Sequence, residues 1–157
     1  MVSQNREIEK KFLVTSAIWK GKNKGVLYRQ GFLSIEPGRT VRVRLEGDKG
    51  TLTIKGKKIN GAGDEFEYEI PAKEAAYIIE HLCLKPVIEK KRYKIEFRGN
   101  IWEVDEFLGE NQGLILAEIE LNSENQIFEK PEWAGEDVTE DHKYKNANLV
   151  VNPFSKW

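Results

Sequence analysis

Apolar and polar residues alternate with a period of two through most of this chain, and short turn motifs separate the alternating stretches. Such alternation is typical of β-strands, because successive side chains of a strand point to opposite faces. It predicts eight strands, at residues 6–14, 26–34, 39–46, 50–56, 64–70, 86–97, 100–107 and 114–121. The connections are short and rich in glycine, so we expect neighbouring strands to pair as antiparallel hairpins.

Helical patterns are fewer. Residues 72–83 follow Pro71 and place apolar side chains on one stripe, which predicts a helix packed on the sheet. A short capped turn is expected at residues 15–20. Ser123 and Gln126 have the spacing of a capping box, which predicts a short helix after Ser123.

The polar segment 136–149 is expected to become helical near the C-terminus. The elements together indicate an α+β protein dominated by antiparallel strands. A length of 157 residues without repeats or linkers favours one domain, residues 1–157.

The predicted strands carry charges on one face and apolar residues on the other. In the first strand, Glu7, Glu9 and Lys11 oppose Ile8 and Phe12. Seven strands share this pattern, and their charges are sorted by sign. The acids are Glu7, Glu9, Glu65, Glu67, Glu69, Glu96, Glu103, Asp105, Glu118 and Glu120, and the bases are Lys11, Arg42, Arg44, Lys55, Lys90, Arg92 and Lys94.

A solvated sheet face is the ordinary explanation for one such strand. Eight strands, however, can close into a barrel whose lumen holds one small ligand. Charges inside a lumen need partners, because burying an ionised group alone is very costly. Arginine forks suit phosphate oxygens, and surplus carboxylates suit hard divalent cations. The pattern therefore indicates a lumen for a metal–polyphosphate complex.

Composition narrows the function further. Acids (26) and bases (25) nearly cancel, which disfavours nucleic acid as a bulk partner. One cysteine, Cys83, and two histidines, His81 and His142, argue against a zinc site or a Cys/His nucleophile. The chain shows no apolar run of membrane-spanning length and a charged N-terminus, so we expect a cytoplasmic protein without a membrane partner.

The motifs resemble those of the CYTH superfamily, also called triphosphate tunnel metalloenzymes. The resemblance rests on the first-strand motif Glu7-Ile8-Glu9-Lys10-Lys11 and on further motifs in matching order over nearly the whole chain. These are Tyr28-Arg29-Gln30-Gly31-Phe32-Leu33, Arg42-Val43-Arg44, Thr51-Leu52-Thr53-Ile54-Lys55-Gly56, Glu65-Phe66-Glu67-Tyr68-Glu69, Lys90-Lys91-Arg92-Tyr93, Trp102-Glu103-Val104-Asp105, Ala117-Glu118-Ile119-Glu120 and Glu136-Asp137-Val138-Thr139, with Tyr144 and Asn146.

The resemblance implies an eight-stranded antiparallel β-barrel, or tunnel, with a charged lumen, flanking helices and a C-terminal plug helix. It also implies hydrolysis of inorganic triphosphate to pyrophosphate and phosphate, with Mg²⁺ or Mn²⁺ as cofactor. The implied metal ligands are Glu7, Glu9, Glu67, Glu69, Asp105, Glu118 and Glu120. The implied substrate-binding residues are Lys11, Arg42, Arg44, Lys55, Lys90, Arg92 and Lys143, and the candidate catalytic residues are Glu7, Lys11 and Glu69.

One position departs from the resemblance. Relatives often carry an arginine two residues before the first Glu of the Glu65-Phe66-Glu67-Tyr68-Glu69 strand, and this chain has Gly63 there. One phosphate contact is therefore either missing or supplied from elsewhere in the chain.

Three alternatives stay open at this point. The first is a nucleotide enzyme with the same fold, such as an adenylate cyclase, an NTPase or a thiamine triphosphatase. The second is a non-catalytic polyphosphate-binding module, and the third is a structural sheet protein whose charges form salt bridges. Inorganic triphosphate or another small triphosphate is the expected partner, and the sequence indicates no oligomeric state.

Overall fold

The computed structural model describes residues 6–21 and 23–157. Within them the strands are β1 (Arg6–Val14), β2 (Val26–Glu36), β3 (Arg39–Glu46), β4 (Lys49–Gly56), β5 (Ala62–Ile70), β6 (Ile88–Phe97), β7 (Asn100–Phe107), β8 (Ile115–Glu120) and β9 (Ala134–Asp137). The α-helices are α1 (Ala72–His81) and α2 (Asn146–Val151), and 3₁₀ turns lie at Gly109–Asn111, His142–Tyr144 and Phe154–Lys156. No helix in this described part has the length and apolar character needed to cross a bilayer.

Eight of these strands form a closed ring in the order β5-β4-β3-β2-β6-β7-β8-β1, and β1 closes it by pairing with β5. The closing pairs join Arg6 to Asp64, Glu7 to Gly63 and Ile8 to Ala62. All pairings are antiparallel. The predicted eight-stranded antiparallel barrel is therefore confirmed. Strand β9, which pairs with the C-terminal end of β1, was not predicted.

Apolar side chains cover the outside of the ring in two places. Helix α1 buries Ala75 and Ile79 against Val43 of β3, as the predicted helix at 72–83 requires. The outer faces of β1, β6, β7 and β8 are covered by two connections. Trp19, between β1 and β2, and Trp133, just before β9, pack in one cluster with Trp102 of β7. Because the apolar faces are covered from outside, the charged faces point into the ring.

The C-terminal segment packs against one end of the lumen, because Ile88 and Leu116 lie on the same strand faces as Lys90 and Glu118. Leu149 and Val150 of α2 pack in one cluster with Phe32, Ile88 and Leu116. The segment is helical only over its last part, because residues 134–137 pair with β1 as strand β9.

The predicted helix after Ser123 is wrong: the described residues 122–125 form bends and turns, and residues 126–130 have no regular secondary structure. The Gln126 side chain accepts a hydrogen bond from the Asn122 backbone N–H at 2.6 Å, and the Gln126 backbone N–H donates to the Ser123 carbonyl at 3.2 Å. These two bonds stabilise one turn that does not continue. Within the segment 15–20, where a short turn was predicted, the chain does turn, over residues 17–21, with the Lys20 N–H donating to the Ala17 carbonyl.

Candidate active site

The ring encloses a cavity of about 1300 Å³ that is lined mainly by charged side chains. Acids from one part of the ring and bases from another share this space because they lie on the inward faces of their strands. The cavity brings together eleven sequence-predicted site residues, namely Glu7, Glu9, Lys11, Arg42, Arg44, Lys55, Glu67, Lys90, Arg92, Glu118 and Glu120.

Three other sequence-predicted residues lie outside the lining of this cavity in the described chain. Glu69 is exposed near the end of β5, beyond the part of the strand that faces the lumen. Lys143 is also exposed, and its Nζ lies 4.7 Å from the centroid of the Trp157 ring. Asp105 is only 1% exposed and lies behind the basic side chains that it binds.

Asp105 holds two of the bases in place. Its carboxylate accepts hydrogen bonds from Arg92 at 2.7 and 2.8 Å and from Lys90 Nζ at 2.8 Å. Burial alone would raise the pKa of Asp105, but Lys90 and Arg92 outweigh it and lower that pKa. Burial lowers the pKa of Lys90 to about 8, against the opposing effect of Asp105. With both oxygens engaged, Asp105 is a positioning residue for the bases.

Glu118 is likewise paired with bases. Its carboxylate lies 3.4 Å from Lys11 Nζ and 3.7 Å from an Arg92 Nη, and the strand register sets Lys11 directly opposite Glu118. Burial raises the pKa of Glu118, but Lys11 and Arg92 together lower it well below its usual range. Glu118 therefore stays ionised inside the lumen.

Glu9 and Glu120 face each other with less compensation, since β1 and β8 pair them directly. Burial raises the pKa of Glu9, and the charges of Glu118 and Glu7 raise it further. Burial, then Glu103 and Glu9, raise the pKa of Glu120. Like charges opposite each other are destabilising unless a cation lies between them. This carboxylate set, with Glu7 beside it, fits a hard divalent cation.

The lysines of the lumen are paired with these acids in the structure. Lys55 Nζ lies 2.9 Å from Glu7 and Lys58 Nζ lies 3.5 Å from Glu9. Within residues 6–21 and 23–157, no three His, Cys, Asp or Glu side chains are already gathered as a metal-binding group. A divalent cation would therefore have to take these carboxylates from the lysines, which would release ammonium groups toward a phosphate chain.

Arg42 and Arg44 on β3 form the basic side of the cavity. Burial lowers the pKa of Arg42, and Arg44 lowers it further. The Nε atoms of both arginines are buried, and in the described chain neither has a hydrogen-bond partner. A buried N–H donor without an acceptor is costly. Phosphate oxygens would supply acceptors with the geometry that the guanidinium fork prefers.

Four residues that the sequence did not assign to the site also belong to it. Tyr28 lies between two guanidiniums, with Arg44 at 5.0 Å and Arg92 at 5.1 Å from its ring, and burial raises its pKa to about 12. Asn146 accepts hydrogen bonds from Lys90 Nζ at 3.1 Å and from Gln30 at 2.7 Å. Glu103, on a predicted charged face, and Lys58, in a turn, line the cavity. The alternation of charged and apolar residues in its strand could have placed Glu103 in the site from sequence alone.

The closed ring and its paired acids and bases define a tunnel protein with a charged lumen. Residues 5–150 match the family model of the CYTH domain. The chain belongs to the CYTH family, and the resemblance stated from its motifs is confirmed. The CYTH triphosphatase family is metal-dependent, and the match does not specify which metal ion this chain binds.

Curated relatives and solved structures agree with this assignment. The chain is 55% identical to an inorganic triphosphatase of Acetivibrio thermocellus, over 97% of each chain. It is 36% identical to an inorganic triphosphatase of Nitrosomonas europaea, over 93% of this chain and 97% of the relative.

The crystal structure of an inorganic triphosphatase aligns with a TM-score of 0.67 at 33% identity, covering 92% of this chain and 97% of the other. A putative adenylate cyclase from Bacillus halodurans aligns with a TM-score of 0.61 at 18% identity, over 76% and 83% of the two chains. This second structure supports the fold alone. The two curated relatives are inorganic triphosphatases, so the predicted enzyme class is confirmed.

Proposed function

We propose that this chain hydrolyses inorganic triphosphate to pyrophosphate and phosphate inside the lumen, with Mg²⁺ or Mn²⁺ as cofactor. The observation that supports the proposal is that one cavity contains both arginine donors in need of acceptors and carboxylates in need of a cation. Among the residues that the structure describes, the buried Nε–H groups of Arg42 and Arg44 have no acceptor, and the carboxylates Glu9 and Glu120 stand directly opposite each other. A triphosphate chelated to a divalent cation would supply acceptor oxygens for the arginines and positive charge for the carboxylates.

Glu7, Glu9 and Glu120 are the residues that would hold the cation, with Glu118 and Glu67 nearby in the same lining. When bound, Mg²⁺ or Mn²⁺ neutralises phosphate charge and lowers the pKa of a coordinated water. The chemistry of the donor set agrees with this, because hard cations take carboxylate oxygens.

The bases of the lumen bind and orient the phosphates. Lys11, Lys55, Arg42 and Arg44 all line the cavity and can each donate to a phosphate oxygen. Asp105 holds Lys90 and Arg92 before substrate arrives, so these charges need little reorganisation during the reaction.

Glu7 is the carboxylate best placed to accept a proton from the attacking water. Of the two acids proposed for this role from sequence, Glu7 lines the cavity and Glu69 lies outside its lining. Lys55 Nζ donates a hydrogen bond to the Glu7 carboxylate at 2.9 Å, which holds that side chain in the lumen.

Replacing Arg44 by alanine is expected to weaken triphosphate binding by roughly 10- to 100-fold, the value of one or two charge-assisted hydrogen bonds. Arg44→Lys should recover only part of this loss, because an ammonium cannot bind two oxygens as a planar fork does. Titration calorimetry measures both. Arg29, which pairs with Glu89 on the outer face of β2, provides the matched control in Arg29→Ala. Equal affinities for Arg44→Ala and wild type would remove Arg44 from the site.

The proposed function is tested by measuring phosphate release from inorganic triphosphate, ATP and thiamine triphosphate, with Mg²⁺, with Mn²⁺ and with a chelator. We expect the largest kcat/KM for inorganic triphosphate and no turnover with the chelator. A preference for ATP or thiamine triphosphate would replace the proposal by a nucleotide or thiamine enzyme. Tight binding without turnover under either metal would indicate a binding module.

A further inference from the structure

Lys58 lies in the turn between β4 and β5, where a bridge pairs Ile59 with Ala62. Lys58 lies against the side of Gly63 from which a side chain would project, and it lines the cavity. A Cβ built on Gly63 would come within 3.0 Å of Lys58 Cγ, tighter than an ordinary contact. Gly63 therefore leaves open the space in which the Lys58 stem lies.

The ammonium of Lys58 is not firmly held. Its closest acidic partner is Glu9, at 3.5 Å, and the Lys58 side chain is 34% exposed. Ion pairs of this length and exposure contribute little to stability, so the ammonium can exchange to a better acceptor. Because this pair is weak, a phosphate oxygen can replace Glu9 as the acceptor of the Lys58 ammonium with or without a cation.

Other ammonium groups converge on the same place. Lys145, on the C-terminal segment, also lines the cavity. Burial lowers the pKa of Lys145, and the charges of Lys58 and then Lys11 lower it further. Three lysines from distant parts of the chain thus share one region of the lumen, and an anion there would relieve their mutual repulsion.

We propose that Lys58 is a substrate-binding residue, whose ammonium leaves Glu9 and binds a phosphate of the triphosphate, and that Gly63 makes room for it. The proposal rests on the proposed function and adds a specific residue to it. It also accounts for Gly63 standing where the resemblance leads one to expect an arginine, since Lys58 enters the space that a side chain from position 63 would occupy.

The experiment compares wild type, Lys58→Ala, the double variant Lys58→Ala with Gly63→Arg, and Lys91→Ala. Lys91 is exposed between Lys90 and Arg92 on β6 and supplies a matched lysine that faces away from the lumen. We expect Lys58→Ala to raise KM for inorganic triphosphate about tenfold with kcat changed less than twofold, the loss of one charge-assisted contact. The double variant should recover most of this loss, because the new guanidinium occupies the vacated space.

Binding provides a second readout that needs no turnover. Triphosphate with a chelator present should raise the melting temperature of wild type and of Lys91→Ala more than that of Lys58→Ala. An unchanged KM for Lys58→Ala, or a loss confined to kcat, would overturn the role of Lys58. Wild-type protein without activity on triphosphate would instead overturn the proposed function, so the two failures are distinguishable.

Discussion

Replacing Glu9 by glutamine is expected to reduce metal-dependent turnover by a factor on the order of 100 or more, because it removes one carboxylate from the set that would hold the cation. The same substitution is not expected to destabilise the protein without metal. Burial and the charges of Glu118 and Glu7 raise the pKa of Glu9, which means that its ionised form is unfavourable in the fold. Glutamine keeps the shape and removes the repulsion.

Two measurements check this expectation together. Phosphate release is measured over a range of Mg²⁺ and Mn²⁺ concentrations, and melting temperature is measured in a chelator. Glu136→Gln, an exposed acid on β9 away from the cavity lining, is the control and should match wild type in both. Full activity in Glu9→Gln would show that the carboxylate set does not hold the cation. A large fall in melting temperature would show that Glu9 has a structural role.

Replacing Asp105 by alanine is expected to cause the largest loss of stability. Asp105 is 1% exposed, and its removal leaves Lys90 and Arg92 buried without their shared partner. Breaking a buried ion pair on one side typically costs about 3–5 kcal/mol. In a chain of this size such a loss lowers the melting temperature by on the order of 10 °C.

The matched control is Glu129→Gln. Glu129 pairs with Arg98 on the surface, where both side chains are about two-thirds exposed. Pairs of this kind add little to stability, so the melting temperature should change by about 1 °C at most. If Asp105→Ala melted within 1–2 °C of wild type, the Lys90–Asp105–Arg92 group would not be the structural support described above.

The sequence was sufficient to predict the strands and the faces on which the charges lie. Strand alternation is a local property, and the turns between strands have recognisable residues, so spacing alone placed Arg42 with Arg44, and Glu118 with Glu120, on the charged face of their strands. The resemblance to the CYTH family added the function. Strand β9 has only four residues and depends on pairing with β1, so no alternating pattern marked it.

Register across the ring could not be predicted in the same way. Register places Arg92 opposite Asp105, so that Asp105 can hold the Arg92 side chain in position. It also places Glu9 opposite Glu120, which makes Glu9 a candidate metal ligand. Glu67 and Glu69 share one face of β5, yet only Glu67 reaches the cavity. The difference depends on where the strand leaves the lumen, which alternation does not encode.

The position of Lys58 in the cavity lining could not be predicted from the alternating pattern either. Lys58 lies in a turn, where alternation assigns no face, and its Cγ lies 3.0 Å from the point where a side chain at position 63 would begin. A glycine in a strand is usually interpreted as a bend or a close backbone approach. Here its neighbour across the hairpin uses the space.

The most direct test of the account is a crystal structure of the Glu9→Gln variant soaked with inorganic triphosphate and Mn²⁺, chosen because this variant should bind but not turn over. We expect the phosphate chain inside the ring, with its oxygens bound to Arg42 and Arg44, and the anomalous signal of Mn²⁺ beside Glu7 and Glu120. Triphosphate bound only on the outer surface, with the side chains of the lumen paired as they are without ligand, would contradict it.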